Sequence, residues 1–277
     1  MSGNEKQIEY WNEVAGPKWI RLGQAMEARL EAVNRLLIER AAPLPGEAVL
    51  DVGCGTGSTT LPVAALVGPA GHATGIDVSA PMLEMARKRI VERDNIDLVQ
   101  EDVAAARLPR RFDLIVSRFG VMFFADPVAA FSNLRRMLKP EGRLCFACWA
   151  PLADNPHWRI PLEIAERRLG PAKPKPPRAP GPLAFSDADY VREILSAAGF
   201  AGIGVAAEAV PVLDGSLDDA ADIACFMGPA GALLDEKAAD AQSREAIRRE
   251  IREAFTKYDT SVPLRLPATV LIVTARG

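Results

Sequence analysis

The chain has 277 residues, with 33 Lys plus Arg against 36 Asp plus Glu and a net charge of -3. That balance excludes a dedicated nucleic-acid binder, which needs a basic excess. A hydrophobic share of 49% and a charged share of 25% exclude general disorder and leave material for a sizeable core. The start, MSGNEKQIEYW, has neither the positive charge nor the apolar run of a secretory signal, and no stretch is long enough to span a bilayer, which predicts a cytoplasmic protein.

The residues Met26, Leu30, Val33 and Leu37 fall on one face at helical spacing, predicting an amphipathic helix over 26–40 that Pro43 and Pro45 close. Strands and helices then alternate. EAVLDV reads as a strand, 56–67 as a helix, HATGID as a strand, and 80–92 as a helix capped by Ser79. IDLVQED and FDLIVSRF are further strands, 127–138 is a helix, and GRLCFACWA is a strand. Short apolar runs between amphipathic helices indicate parallel strands covered on both faces.

Cys145 and Cys148 have CxxC spacing, but a strand sends side chains three apart to opposite faces, so they read as core. The four cysteines fit reduced thiols, and with His72 and His157 as the only histidines no metal site is expected. PAKPKPPRAPGP, at 171–182, is a linker or covering loop, because each proline removes a donor and fixes φ. Beyond it, Ser186 caps a helix through Ala198, Gly199 ends that helix, and GIGVAAEAVPVL is a strand. A helical block follows, with Ile247, Ile251 and Phe255 as an inward stripe, and ATVLIVTARG closes the chain as a strand. The fold expected is α/β: a doubly wound, mostly parallel seven-stranded sheet of Rossmann-like type, with N-terminal helices and a helical insertion before the last strand. Its parts are an N-terminal helical lid (1–46), a ligand-binding core (47–150), a linker, helices and sixth strand (151–213), the insertion (214–266) and the last strand (267–277).

VLDVGCGTGSTT runs a strand into Gly53, Gly55 and Gly57. A strand turning sharply into a helix puts backbone at the carboxyl edge of the sheet, where glycines let a ligand approach without a Cβ in the way. The spacing is not the G-x-G-x-x-G of dinucleotide enzymes, since Ser58 stands where the third glycine would, and G-x-x-x-x-G-K-[ST] is missing. An acid followed by G-x-G-x-G after the first strand resembles the class I S-adenosylmethionine-dependent methyltransferases, in particular the ubiquinone/menaquinone C-methyltransferase-like group. The resemblance runs from Val49 to Trp149, through FDLIVSRFGVMFFADP and LRRMLKPEGRLCFA, and includes ATVLIVTA as the last strand.

The resemblance implies S-adenosylmethionine as donor and S-adenosylhomocysteine as product. Asp51 and the Gly53, Gly55 and Gly57 loop would face the methionine part, Asp77 the ribose hydroxyls and Asp102 the adenine amino group. The Val103 N–H would meet the adenine ring. Met82 either covers adenine or packs its own helix. Arg118, ending a buried strand, borders the pocket, and Trp19 stands with Tyr10 and Trp11 in a leading segment that forms a lid or packs on the sheet. His157, just past the fifth strand, is the candidate general base, its alternative being a surface or capping histidine. The acceptor is expected to be a small molecule walled by Phe119, Phe123, Phe124, Trp149 and Trp158, at least half of which also serve as core. The alternatives are a peptide or protein acceptor, methylated at a carboxylate or amine, and a non-catalytic protein that binds S-adenosylmethionine.

Overall fold

A computed structural model of the chain describes residues 4–90, 93–174, 176–258 and 261–277. The amino-terminal segment is α1 (Glu5–Tyr10), a π-helical turn (Trp11–Ala15), α2 (Gly16–Leu22), α3 (Gln24–Arg29) and α4 (Glu31–Ala41). The core follows as β1 (Ala48–Val52), α5 (Thr60–Val67), β2 (His72–Asp77), α6 (Ala80–Arg89), β3 (Ile96–Gln100), β4 (Phe112–Arg118), α7 (Pro127–Met137) and β5 (Leu138–Trp149). Then come α8 (Pro156–Leu169), α9 (Ala188–Ala197), β6 (Ala201–Asp214), α10 (Leu217–Phe226), α11 (Gly228–Glu236), α12 (Ala241–Phe255) and β7 (Leu264–Arg276).

The seven strands form one sheet in the order β3-β2-β1-β4-β5-β7-β6. Neighbours among β1 to β5 run parallel, and β7 is antiparallel to both β5 and β6. The seven-stranded, mostly parallel expectation holds. The chain reverses its direction of winding between β1 and β4, which opens a crevice at the carboxyl edge there. Since β6 is parallel to β5, Asp214 ends on the same edge as Asp51, Asp77, Arg118 and Trp149. The insertion over 215–263 leaves from and returns to that edge.

The strands read as near-continuous apolar runs because both faces are covered. All five residues of β1 are buried, as are Leu114, Ile115 and Val116 of β4. Cys145 and Cys148 are buried in β5, and Ile247, Ile251 and Phe255 are fully buried under α12. No helix among the described residues is long and apolar enough to cross a membrane.

Several boundaries moved for local reasons. The helix expected over 26–40 breaks at Leu30, whose N–H is shared between the Met26 and Glu27 carbonyls, although the predicted stripe of Met26, Leu30, Val33 and Leu37 is buried throughout. The helix expected over 56–67 begins only at Thr60, because Gly57 sits at φ 80°, outside helical space. Ser186 is not the cap of α9: the Asp187 carboxylate accepts from the Asp189 and Tyr190 N–H groups, while the Ser186 hydroxyl donates to the Leu183 carbonyl. The strand closing the chain begins at Leu264. Of the helix expected over 80–92, α6 ends at Arg89 with Ile90 as its C-cap, and 91–92 lie outside the described residues.

Where β1 and β4 part, two backbones touch. A Cβ on Gly120 would lie 2.5 Å from the Val52 carbonyl oxygen and 2.8 Å from the Gly53 Cα. Gly120→Ala is therefore expected to cost about 1–3 kcal/mol through overpacking, lowering Tm by about 2–4 °C for each kcal/mol in a thermal melt. An unchanged Tm would show that the two loops separate freely.

Candidate functional site

The glycine turn is built from the strand outward. The N–H groups of Gly53 and Cys54 both donate to the Ile76 carbonyl, at 2.9 and 3.2 Å, and the Gly57 N–H donates to the Cys54 carbonyl at 2.9 Å. The Gly55 N–H donates to Asp77 Oδ2 at 2.7 Å. These donors are used inside the protein, so what the glycines offer a ligand is the missing Cβ rather than free N–H groups.

Three acids ring the turn. Asp51 is buried at the end of β1, where its Oδ2 accepts from the Thr60 hydroxyl at 2.6 Å. Burial pushes its carboxyl up to about 6, with the Thr60 bond and the Arg118 charge opposing. Asp77 ends β2, with Oδ1 accepting from the Ser79 N–H at 2.8 Å; burial raises this carboxyl as well, against the Ser79 and Gly55 bonds. Each of its oxygens keeps a lone pair for a ligand hydroxyl. Asp102 Oδ1 accepts from the Ala104 N–H at 3.0 Å, while Asp102 Oδ2 is buried without a partner among the described residues. The Val103 N–H next to it has no acceptor among the described residues. An orphaned carboxylate oxygen beside a free N–H is the donor and acceptor pair that an aminopurine edge requires.

Arg118 ends β4 half-buried, without a hydrogen bond or ion pair among the described residues, and faces Asp51 and Glu27. Met82 is buried on α6 with its terminal methyl over Gly55, 2.8 Å from where a Cβ would stand. Thus Asp51, Gly53, Gly55, Gly57, Asp77, Met82, Asp102, Val103 and Arg118 border the glycine turn or the adjoining strand ends. Trp19 of α2 is half-buried against the core, with its ring 6.4 Å from that of Trp11.

The amino-terminal segment is stitched to the same loops. Asn12 donates to the Val78 carbonyl at 3.0 Å and accepts from the Ala80 N–H at 2.9 Å, while the Ser79 hydroxyl donates to the Trp11 carbonyl at 3.0 Å. Ser79 stands at the start of α6 as expected, but its hydroxyl does not cap the helix; Asn12 does that from outside. The Trp11 ring meets Phe123 edge-on at 5.0 Å. From α3, Glu27 accepts from the Thr56 hydroxyl at 3.1 Å and pairs with Arg89, which also donates to the Thr56 carbonyl at 3.1 Å.

Toward β5 and the insertion the edge becomes aromatic. Phe119 stacks on Trp149 with centroids 4.4 Å apart and planes 7° from parallel, and Trp149 leans on Trp158 at 4.7 Å. Phe119, Phe124 and Trp149 are buried while Phe123 and Trp158 are partly open, so most of the expected acceptor wall is also core. His157, in the first turn of α8, is buried 5.2 Å from both Trp149 and Trp158. It is neither a surface residue nor a cap. Among the described residues neither ring nitrogen has a hydrogen-bond partner, and burial followed by the nearby Arg29 charge holds the imidazole well below its usual range, hence neutral. Across from it Arg29 of α3 pairs with Asp214 at the end of β6, both buried.

Sequence reading missed the supporting shell. Thr60, Asn12 and Glu27 carry no motif. Asn133 left a signal, being a polar residue inside the buried stripe of α7; it donates to the Val103 and Ala106 carbonyls at 2.8 and 3.0 Å and fixes the turn that carries Asp102. No cluster of three or more metal-ligating side chains exists among the described residues.

Residues 49–142 match the family model described as a methyltransferase domain. Aklanonic acid methyltransferase DauC of a Streptomyces species is 34% identical over 148 residues, covering 52% of this chain and 66% of that protein. Demethylmenaquinone methyltransferase of Staphylococcus aureus is 39% identical over 143 residues, covering 50% and 58%. The match thus spans somewhat less than two thirds of either relative. Among solved structures, phosphoethanolamine N-methyltransferase 2 of Haemonchus contortus in complex with S-adenosyl-L-methionine superposes with a TM-score of 0.53 at 16% identity, over 95% of this chain and 60% of that one.

The acids and the orphaned Asp102 oxygen fit S-adenosylmethionine, the donor of this family. Asp77→Ala should weaken its binding by about a hundredfold or more in calorimetry, the loss of two hydrogen bonds to a charged group. An ionised Asp51 favours the donor's positive charges, so affinity should fall as pH drops through about 6, and Asp51→Asn should flatten that profile. Affinity constant from pH 5 to 8 in the wild type would remove Asp51 from the site. With sheet order, motif order and the matched domain in agreement, residues 49–142 form a core that belongs to the class I S-adenosylmethionine-dependent methyltransferases.

Proposed function

We propose that the chain transfers a methyl group from S-adenosylmethionine to a small organic acceptor by in-line displacement, and that His157 removes the acceptor's proton. The donor, when bound, supplies a methyl on a positively charged sulfur. Asp51, Asp77, Asp102 and the Val103 N–H would hold and orient it. The amino-terminal segment, latched through Asn12, acts as a lid that excludes water. Holding the acceptor atom in line with the methyl is the chief task, since orientation alone can supply about 7–11 kcal/mol of barrier lowering.

The observation that carries the proton role is His157 itself, a buried imidazole among aromatic rings on the carboxyl edge, with both nitrogens unpartnered among the described residues. Two relatives are named for small organic acceptors, aklanonic acid and demethylmenaquinone, which supports a small molecule over a peptide.

Tritiated S-adenosylmethionine offered with panels of phenols, enols, quinols and peptides tests the reading, and label should pass to the small molecules. With the acceptor so found, His157→Gln should lower kcat about 10²–10⁴-fold with donor affinity unchanged. Because the imidazole is depressed below its ordinary pKa, its base form is complete at and above pH 6.5, so wild-type kcat should stay level from pH 6.5 to 8 and fall only at lower pH. Label entering only peptides, or a His157→Gln enzyme of full kcat, would defeat the corresponding half of the proposal.

A further inference from the structure

Two opposite charges stand on either side of the glycine turn without meeting. Arg118 ends β4, and because Asp51 pairs with Val116 in the parallel register, Arg118 projects from the same face of the sheet as Asp51. Glu27 approaches from another direction, on α3, and holds the turn through the Thr56 hydroxyl at 3.1 Å. Arg118 is half-buried and makes no hydrogen bond or ion pair among the described residues, although the charges of Asp51 and Glu27 both act on it. Glu27 is only half used. Its Oε1 accepts from Arg89 and from Thr56, whereas its Oε2 has no hydrogen bond among the described residues and 27% of the side chain is exposed.

A guanidinium drawn partly out of water with none of its N–H donors used calls for an anion. The glycine turn offers that anion little, because the N–H groups of Gly53, Cys54, Gly55 and Gly57 are spent inside the protein. Yet an anion alone is repelled by Glu27 and Asp51, and a cation alone by Arg118 and Arg89. What the two residues select together is a compact zwitterion, a carboxylate beside an ammonium, as in an α-amino acid. The sheet order puts that group in its place. Along the carboxyl edge, β3, β2, β1 and β4 present Asp102, Asp77, Asp51 and Arg118 in turn, so a donor with its adenine at Asp102 and its ribose at Asp77 brings its amino-acid end to Arg118.

We propose that Arg118 and Glu27 form a clamp for the donor's amino-acid end, Arg118 donating to the carboxylate and Glu27 Oε2 accepting from the ammonium. The clamp rests on the donor assignment made above and not on the choice of acceptor. Because Glu27 belongs to the amino-terminal segment and Arg118 to the sheet, a donor with this end intact also ties α3 to the core.

S-adenosylhomocysteine keeps the amino-acid end and transfers no methyl group, while methylthioadenosine lacks that end and keeps the nucleoside and sulfur. Calorimetry on the full chain should find the first bound about a hundredfold or more tightly than the second. Arg118→Gln and Glu27→Gln should each lower S-adenosylhomocysteine affinity about tenfold or more and leave methylthioadenosine affinity unchanged, which also shows that the variants fold. Decarboxylated S-adenosylhomocysteine, which keeps only the ammonium, should be weakened by Glu27→Gln and not by Arg118→Gln. In the wild type, S-adenosylhomocysteine should slow amide hydrogen exchange over Gln24–Arg29, and methylthioadenosine should not. Equal affinities for the two ligands would overturn the clamp, as would substitutions that weaken both by the same factor, the result that a merely structural role produces. The two readings fail separately. A hundredfold preference that neither substitution reduces removes Arg118 and Glu27 from the donor and keeps the donor assignment; binding of neither ligand by the folded wild type removes the donor assignment and the clamp with it.

Discussion

The site depends on a backbone contact between Gly53 and Gly120. A Cβ on Gly53 would stand 2.7 Å from the Gly120 Cα, so the turns leaving β1 and β4 meet with no side chain between them. That approach sets Asp51 and Arg118, each near the end of its strand, on the same crevice, and obliges the chain after β4 to turn at once. Phe119 carries the turn at φ 67°, a left-handed conformation that a bulky side chain adopts only under constraint, worth about 1–3 kcal/mol of strain. Its ring is meanwhile held flat on Trp149, and its N–H bonds the Ala147 carbonyl at 3.0 Å. The strain is thus fixed from both sides, at the boundary between the donor loops and the aromatic wall.

Most of the fold was legible because strands buried on both faces write themselves as apolar runs, and the helices between them carry clear stripes. The acids proposed to hold the donor could be placed for a related reason: each stands at the end of a strand, a position that the sequence pattern locates. Boundaries failed where a single dihedral or a long-range partner decides them, as with Gly57 delaying α5 and Asp187 outcompeting Ser186. The supporting shell was hidden because its bonds join distant segments. Asn12 reaches Ala80, Glu27 reaches Thr56 and Arg29 reaches Asp214, and no local spacing encodes such pairs. Of the aromatic residues expected to wall the acceptor only the identity was readable, since a buried Trp149 and a half-open Trp158 look alike in sequence.

The two sides of the edge differ in how their polar groups are satisfied. Around the glycine turn the N–H groups of Gly53, Cys54, Gly55 and Gly57 are matched within the protein, while at the strand ends the open groups among the described residues are Arg118, the Val103 N–H and Asp102 Oδ2. Nearer the insertion, His157 and Asp214 Oδ2 lack hydrogen-bond partners among the described residues, and Arg29 makes one ion pair. The roof over that region is held by ties that cross between segments: Lys18 pairs with Asp235 at 2.6 Å, and Lys18 and Arg21 lie over the Phe226 ring at 5.4 and 5.1 Å. Exposed ties of this kind are individually weak and screened by salt.

The capping of α6 by Asn12 couples two events that are usually separate. Swinging the amino-terminal segment away removes the acceptor that the Ala80 N–H uses and the carbonyl that holds the Ser79 hydroxyl, so the first turn of α6 loses its cap as the segment leaves. That turn carries Met82, which covers the glycine loop. Under the lid role proposed above, passage of a ligand through this side would be a local unfolding step, with its rate set by the stability of one helix end as much as by any contact with the ligand itself.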